Sequence, residues 1–275
     1  MMNNCKLCGR PEELQLSHII PKYVYRWMKK TGPGRFRLIG KINKPIHDGF
    51  KEYLLCKDCE GLLAQKEKWF KDNLFDKYLN ASETYFNNDP DLLYFAISIA
   101  WRVLIYFKDS GDNYRHKVKY DQAEKEWRLF LLNNQPLNNF KDIHLVFVPE
   151  NLKLDNEVKN AYSYFYRAVD IEIAENDDKA FVYAKFSRFI LIGEILGINE
   201  SEYIGTNISQ LSTIGCEQEI NDGYFIDYLY SRVINMKSYY DLSLKQQKQN
   251  DLFYIDKMDQ LRNSDYWNIL KRDIK

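Results

Sequence analysis

The sequence predicts an α+β protein in which a small N-terminal module precedes a larger, mostly helical α+β domain. Two observations support this division. Four of the five cysteines lie in two Cys-x-x-Cys pairs near the N-terminus, and the stretch Asn80–Pro90 is rich in turn-forming residues. We therefore predict one unit over residues 1–80 and a second over residues 81–275.

The first unit is predicted to alternate short strands with helices, because its apolar residues alternate in some segments and recur at helical spacing in others. The turn Thr31-Gly32-Pro33-Gly34 ends the first of these helices. The predicted elements are a strand over Glu13–Ile20, a helix over Lys22–Lys30, strands over Phe36–Ile42 and Tyr53–Leu55, and a helix from about Glu60 to Leu79.

The second unit is predicted to begin with a buried helix. Its apolar run, Leu92–Phe107, is short for a bilayer and carries Arg102, so a core helix is expected rather than a membrane span. The predicted elements are helices over Asp91–Lys108 and Asp121–Asn133, a strand over His144–Val148, a hairpin of Ala168–Ala174 with Phe181–Ile195, and helices over Tyr224–Tyr240 and Gln246–Leu261.

The composition is that of a folded, soluble protein, with 45% hydrophobic and 28% charged residues. Met1–Leu16 contains no apolar run of the kind found in secretory signals. We therefore expect a cytoplasmic protein that makes no membrane contact. In that compartment, paired cysteines favour metal binding over disulfides.

The two units carry opposite charge, although the chain is neutral as a whole. Residues 1–80 hold 16 Lys and Arg against 9 Asp and Glu, a net charge of +7, and the remaining 23 and 30 give −7. Leu14–Ile46 contains no acidic residue. Its basic residues are Lys22, Arg26, Lys29, Lys30, Arg35, Arg37, Lys41 and Lys44.

This basic stretch is interleaved with aromatic residues and predicts contact with nucleic acid, because lysine and arginine supply sequence-independent affinity for phosphate. Two other interpretations stay open. The stretch could be an ordinary solvated surface that balances the acidic second unit, or it could dock on that unit.

The two cysteine pairs predict one structural zinc site. A Cys-x-x-Cys turn directs two sulfurs at one metal, and two such turns complete a tetrahedron. The predicted ligands are Cys5, Cys8, Cys56 and Cys59. Four thiolates leave no open position, so this zinc is not expected to be catalytic.

The insert between the pairs contains Leu16-Ser17-His18-Ile19-Ile20-Pro21. With the bracketing cysteines, this segment resembles the HNH, or His-Me finger, nucleases over about residues 1–75. The core of that family is a ββα-metal unit, a β-hairpin followed by a helix. Its catalytic histidine ends the first strand, and a metal ligand follows the last cysteine. The resemblance assigns these roles to His18 and Glu60.

The resemblance implies a metal-dependent endonuclease that hydrolyses phosphodiester bonds in DNA, with RNA the less favoured substrate. A neutral imidazole at His18 would take a proton from water. Glu60 would offer an oxygen ligand to Mg²⁺ or Mn²⁺. Such nucleases often serve phage defence, which is an inference by analogy with the family.

The chain departs from the family pattern at three positions. Ser17 stands where the family has Asp, Glu or His, Glu60 replaces the final His or Asn, and Lys51 or Glu52 occupies the usual Asn position. Further oxygen or nitrogen ligands could then come from His47, Asp48 or Glu67.

Two alternatives to the nuclease therefore stay open. One is a zinc module with a degenerate HNH core that binds nucleic acid or a protein without cleaving it. The other is an interaction protein whose function lies in residues 81–275. That acidic domain is predicted to regulate the first unit, to bind a partner or to mediate homo-oligomerisation.

Overall fold

The computed structural model of the chain describes residues 3–33, 36–38, 41–46, 48–81, 83–108, 114–133, 135–154, 158–236 and 242–274. For residues 36–38 and 41–46 it describes the backbone alone. Over the described residues the chain has the mixed α+β composition that the sequence predicts.

The described residues of the N-terminal part form short strands, one helix of nine residues and one long helix. The long helix runs without a break from Lys57 to Asn80, because a π-helical turn at Lys71–Phe75 joins two α-helical segments. The elements are β1 (Asn3–Asn4), β2 (Pro11–Glu12), β3 (Leu14–His18), α1 (Lys22–Lys30), β4 (Phe36–Leu38), β5 (Lys41–Ile46), β6 (Lys51–Cys56), α2 (Lys57–Phe70) and α3 (Asp76–Asn80).

After Asn80, the part of the chain that the structure describes adds two long helices, a four-stranded antiparallel sheet and a set of C-terminal helices. The elements are β7 (Tyr85–Asn87), α4 (Pro90–Lys108), α5 (Lys117–Asn133), β8 (Ile143–Phe147), α6 (Ala161–Arg167), β9 (Val169–Glu175), β10 (Ala180–Phe186), β11 (Phe189–Leu196), β12 (Tyr203–Ile204), β13 (Thr213–Gly215), β14 (Glu219–Ile220), α7 (Gly223–Asn235), α8 (Leu244–Asp256), α9 (Met258–Arg262) and α10 (Asp265–Ile274). The four-stranded sheet has the order β8-β11-β10-β9.

Predicted and observed elements agree best where a stop signal marks the end. Helix α1 has the predicted bounds, with Pro21 before it, and the hydroxyl of Thr31 closes it by donating to Trp27 O at 2.8 Å. Phe181–Ile195, predicted as one strand, is two: β10 reverses at Ser187, whose φ is +54°. The segment Phe36–Ile42, also predicted as one strand, contributes to the separate strands β4 and β5.

One hydrophobic core includes side chains from both sides of residue 80. Phe70 of α2 stacks on Phe95 of α4 with ring centroids 4.0 Å apart. Helix α4 is long and apolar enough to cross a membrane, and 72% of its most apolar window is buried inside the protein. Such burial is typical of a core helix. Helix α4 packs against α2 of the N-terminal part.

Candidate metal centre and the His18 cluster

The four predicted cysteines converge on one point. Their sulfur atoms all lie within 4.8 Å of one another, and the Sγ atoms of Cys8 and Cys56 are 3.8 Å apart. A tetrahedral zinc site with bonds of about 2.3 Å has edges of about 3.8 Å. The predicted grouping of these cysteines is therefore confirmed, and their spacing fits a metal such as zinc.

The backbone around the sulfurs is arranged as a tight turn. Cys5 and Cys8 lie between β1 and β2, and Gly9 adopts a φ of +78° that favours glycine while its N–H donates to Cys5 O at 2.8 Å. Cys56 ends β6, and its N–H donates to the Cys5 sulfur at 3.3 Å. The bond from Gly9 shapes the turn of the first cysteine pair, and the bond from Cys56 joins the second pair to the first.

Arg10 lies against the sulfurs and supplies positive charge to them. Its Nε donates to Cys8 Sγ at 3.4 Å, and its guanidinium also pairs with Asp58 and Glu12 at 2.8 and 3.1 Å. Although partial burial raises the pKa of Cys8, the hydrogen bonds from Arg10 outweigh that effect and lower this pKa to about 6. A thiolate is the form that a metal binds.

The histidine predicted to be catalytic ends the first strand of an antiparallel hairpin, β3 with β6, and helix α2 follows β6 directly. A bulge between Gln15 and Leu16 shifts the register of that hairpin. After the bulge, Ser17 is fully buried and its hydroxyl donates to Glu60 Oε2 at 2.6 Å. The positions proposed to hold a divalent ion are therefore neighbours in space, although they are 43 residues apart.

Asp48 orients the ring of His18. His18 Nε2 is 2.6 Å from Asp48 Oδ1, and Lys51 Nζ is 2.6 Å from Asp48 Oδ2. Partial burial alone would raise the pKa of Asp48, but the bonds from Lys51 and His18 hold it well below its usual range. An ionised carboxylate only accepts, so Nε2 carries the hydrogen and Nδ1 is the basic atom of the neutral ring.

The aromatic ring of Tyr25 packs closely against the loop that carries Asp48. Tyr25 of α1 is buried, and a Cβ added to Gly49 would approach Tyr25 Cζ to 1.7 Å. Only glycine fits this close approach. Tyr25 also lies beside His18, with ring centroids 6.1 Å apart. The contact thereby sets the position of the carboxylate that orients the histidine.

Arg102 is a residue of this cluster that sequence reasoning did not assign to it. It lies in α4, its side chain is 2% exposed, and its Nη1 donates both to His18 O at 2.8 Å and to Glu67 Oε1 at 2.7 Å. Glu67, considered above as a metal ligand, is thus engaged by Arg102. The available signal was an arginine inside an otherwise apolar run.

Replacing Arg102 with methionine is expected to destabilise the protein by about 3 kcal/mol, because Glu67 would be left without its cationic partner in a partly buried position. The double variant Arg102→Met with Glu67→Gln should recover part of that stability. Urea unfolding of the two variants and of Glu67→Gln alone measures the coupling. Additive effects of the two substitutions would contradict the ion pair's structural role.

The structure describes only some of the basic residues that are predicted to contact nucleic acid. Helix α1 presents Lys22, Arg26 and Lys30 to solvent, with Lys29 half-buried. The side chains of Arg37, Lys41 and Lys44 belong to β4 and β5, where only the backbone is described. Arg35 and His47 lie outside the described residues.

Comparison with known proteins adds no relative from which function could be transferred. No protein-family model, no curated protein and no solved structure matches the chain.

Proposed function

We propose that the chain is a metal-dependent endonuclease of the HNH type that hydrolyses phosphodiester bonds in DNA, with zinc in the four-cysteine site as a structural element. The observation that carries the proposal is the spatial order of the β3–β6–α2 unit. His18 ends its first strand, and Glu60 lies in the first turn of its helix, in contact with Ser17. The resemblance noted in the sequence assigns catalytic roles to the same two positions.

The contacts of His18 suit a general base. With Nε2–H donated to Asp48, Nδ1 is the atom that takes a proton from water, and the carboxylate stabilises the imidazolium that results. Lys51 keeps Asp48 ionised. The bond from Arg102 to His18 O supports the backbone at the same residue.

Glu60 is the residue proposed to hold the catalytic divalent ion, Mg²⁺ or Mn²⁺. A carboxylate oxygen is the ligand type that these ions prefer. When bound, such an ion would stabilise the negative charge that develops on the phosphate oxygens. The hydroxyl of Ser17 orients the Glu60 carboxylate through the 2.6 Å hydrogen bond.

The experiment that tests the proposal is the nicking of supercoiled plasmid by purified protein, with Mg²⁺, Mn²⁺ or Ni²⁺ and with a chelator as control. Metal-dependent conversion to the open-circular form is the expected result. A single-stranded RNA substrate, assayed in parallel, tests the alternative nucleic acid.

DNA binding is expected to weaken steeply as salt rises, because Lys22, Arg26 and Lys30 form an exposed basic face on α1. Replacing all three with alanine should lower the affinity and reduce the slope of log K against log salt by about 0.9 for each phosphate that the variant no longer neutralises. Fluorescence anisotropy of a labelled duplex provides both values.

The matched control for that prediction is a triple alanine variant of exposed basic residues elsewhere, in α8 and α9: Lys245, Lys248 and Arg262. The control should keep the wild-type slope. Equal slopes for all three proteins would show that the α1 face does not contact phosphate.

A second candidate function is a zinc module that binds nucleic acid or a protein without cleaving it. The observation that favours it is the identity of Ser17. Its hydroxyl donates to Glu60 at the position where the nuclease family offers a second metal ligand, so one carboxylate is left to hold the ion. Salt-dependent DNA binding without nicking under any metal condition would support this candidate.

A further inference from the structure

A second group of potential metal ligands lies at one end of the four-stranded sheet, separate from the cysteines. It consists of His144 on the edge strand β8, Glu194 on β11, and Glu200 in the one-turn 3₁₀ helix Glu200–Glu202. One ligand atom from each residue lies within 4.8 Å of the other two. The proposed nuclease uses none of these residues.

The hydrogen bonds around His144 define which ring nitrogen carries the proton. The hydroxyl of Thr206 donates to Tyr203 O at 2.8 Å, so its oxygen accepts from His144 Nδ1–H at 2.9 Å. In a neutral imidazole whose Nδ1 carries the hydrogen, the other nitrogen, Nε2, carries none. Nε2 therefore presents a lone pair.

Among the described residues, no protein atom forms a hydrogen bond with that lone pair, although His144 is fully buried. Glu200 Oε1 is the carboxylate oxygen that faces it, at 3.5 Å from Nε2. This separation is too long for a hydrogen bond from a protonated carboxyl group. It matches two ligands of one ion, because metal bonds of about 2.1 Å give ligand edges of about 3.0–3.5 Å.

The carboxylates beside Nε2 are held by neutral donors. Ile198 N–H donates to Glu194 Oε1 at 3.0 Å, and the amide of Asn207 donates both to Glu200 Oε1 at 3.0 Å and to Asp142 Oδ1 at 2.8 Å. Within the described part of the chain, neither lysine nor arginine forms an ion pair with any of these three carboxylates. The cluster therefore places two carboxyl groups, those of Glu194 and Glu200, beside a buried nitrogen ligand.

We propose that His144, Glu194 and Glu200 bind one divalent first-row transition-metal ion. Imidazole with two carboxylates suits Mn²⁺, Fe²⁺ or Zn²⁺, whereas sites without nitrogen suit Mg²⁺ or Ca²⁺. Thr206 accepts a hydrogen bond from the His144 ring, and the amide of Asn207 donates one to Glu200. These two residues would not bind the ion themselves but would hold its ligands in position. The side chain of Glu200 is 40% exposed, which gives the ion a route from solvent.

Such an ion would tie the segment after β11 to the sheet. Glu200 belongs to that segment, whereas His144 and Glu194 belong to paired strands. Because the ion would bind the folded protein and not the unfolded chain, it would raise the melting temperature of the protein. Thermal unfolding therefore detects binding of the ion without any assay of nuclease activity.

The test uses Mn²⁺ and the full chain with its cysteine site loaded with zinc. The background is Glu60→Gln, so that an ion at the His18 cluster does not contribute. Electron paramagnetic resonance of free Mn²⁺ gives the stoichiometry and affinity, and thermal unfolding gives the linked stabilisation. One Mn²⁺ per chain and a raised melting temperature are expected.

Adding Glu200→Gln should weaken Mn²⁺ binding at least about tenfold and remove the thermal shift. The matched control is Glu202→Gln, which alters a carboxylate of the same 3₁₀ helix that pairs with Lys179 at 3.6 Å. This control should bind as its parent does. Unchanged free Mn²⁺ in the parent, or equal affinity in the Glu200→Gln variant, would overturn the proposal.

Discussion

Replacing Cys56 with serine is expected to abolish tight zinc binding and to unfold the N-terminal elements. Cys56 joins β6 to α2 and is fully buried, with its N–H donated to the Cys5 sulfur. Structural zinc contributes about 10–16 kcal/mol of apparent binding free energy in zinc-finger peptides. Because a whole domain is stable by only about 5–15 kcal/mol, removing one of four ligands is enough to disrupt the unit.

Zinc content, near-ultraviolet circular dichroism and limited proteolysis measure this effect. The matched control is Cys216→Ser, because Cys216 lies outside the cluster, with its sulfur 3.5 Å from the Tyr78 hydroxyl. The control should retain about one zinc per chain and a protease-resistant N-terminal part. Full zinc content and unchanged proteolysis in Cys56→Ser would contradict the assignment of this cysteine as a ligand.

The sequence predicted those parts of the fold that local patterns determine. The Cys-x-x-Cys spacing identified the four sulfurs that come together, and Pro21 with the turn after Lys30 gave the bounds of α1. Helix α10 was missed, although Asp265 lies in its first turn and Lys271 and Arg272 lie in its last turn, the arrangement that the helix dipole favours. Helix α10 packs on α6, a helix of seven residues that was also missed. Both helices are positioned by contacts between distant segments, and such contacts leave little signal in the local sequence.

The candidate site was predicted less completely because its second layer comes from distant segments. His18 and Glu60 were identified from motif positions, whereas the hydrogen bond from Arg102 connects residues 84 positions apart. Asp48 was considered as a metal ligand, yet its carboxylate is engaged by His18 and Lys51. Spacing along the chain does not reveal which of several nearby acids faces a given histidine.

The structural contacts also suggest how the proposed catalysis could be regulated. Arg102 belongs to the core helix α4, so a displacement of that helix would act on His18 O directly. Arg167 of α6 similarly holds the end of α1 by donating to Met28 O at 2.9 Å. Residues after position 80 thus contact both the proposed base and the basic helix, which offers a physical route for regulation, one of the three roles predicted for residues 81–275.

Replacing His18 with alanine is expected to lower plasmid nicking by about 10²–10⁴-fold, the usual contribution of a general base. Folding should be retained, because the hydrogen bond that is lost is the one to Asp48, whose carboxylate keeps its ion pair with Lys51. Zinc content and DNA affinity should also stay at wild-type levels, since neither the cysteines nor α1 is altered. A gel assay under single-turnover conditions measures the rate.

Two further variants separate chemistry from structure. The matched control is His116→Ala, which removes a half-buried histidine whose Nε2 bonds to Asn176 O. We expect this variant to nick plasmid at the wild-type rate. In Asp48→Asn, the carboxylate that stabilises the imidazolium is absent, so the rate should fall while the Kd for DNA stays unchanged. Equal nicking by wild type and His18→Ala would exclude His18 as the base. A fall in rate in His18→Ala that is accompanied by a fall in zinc content or DNA affinity would instead indicate a structural role for this residue.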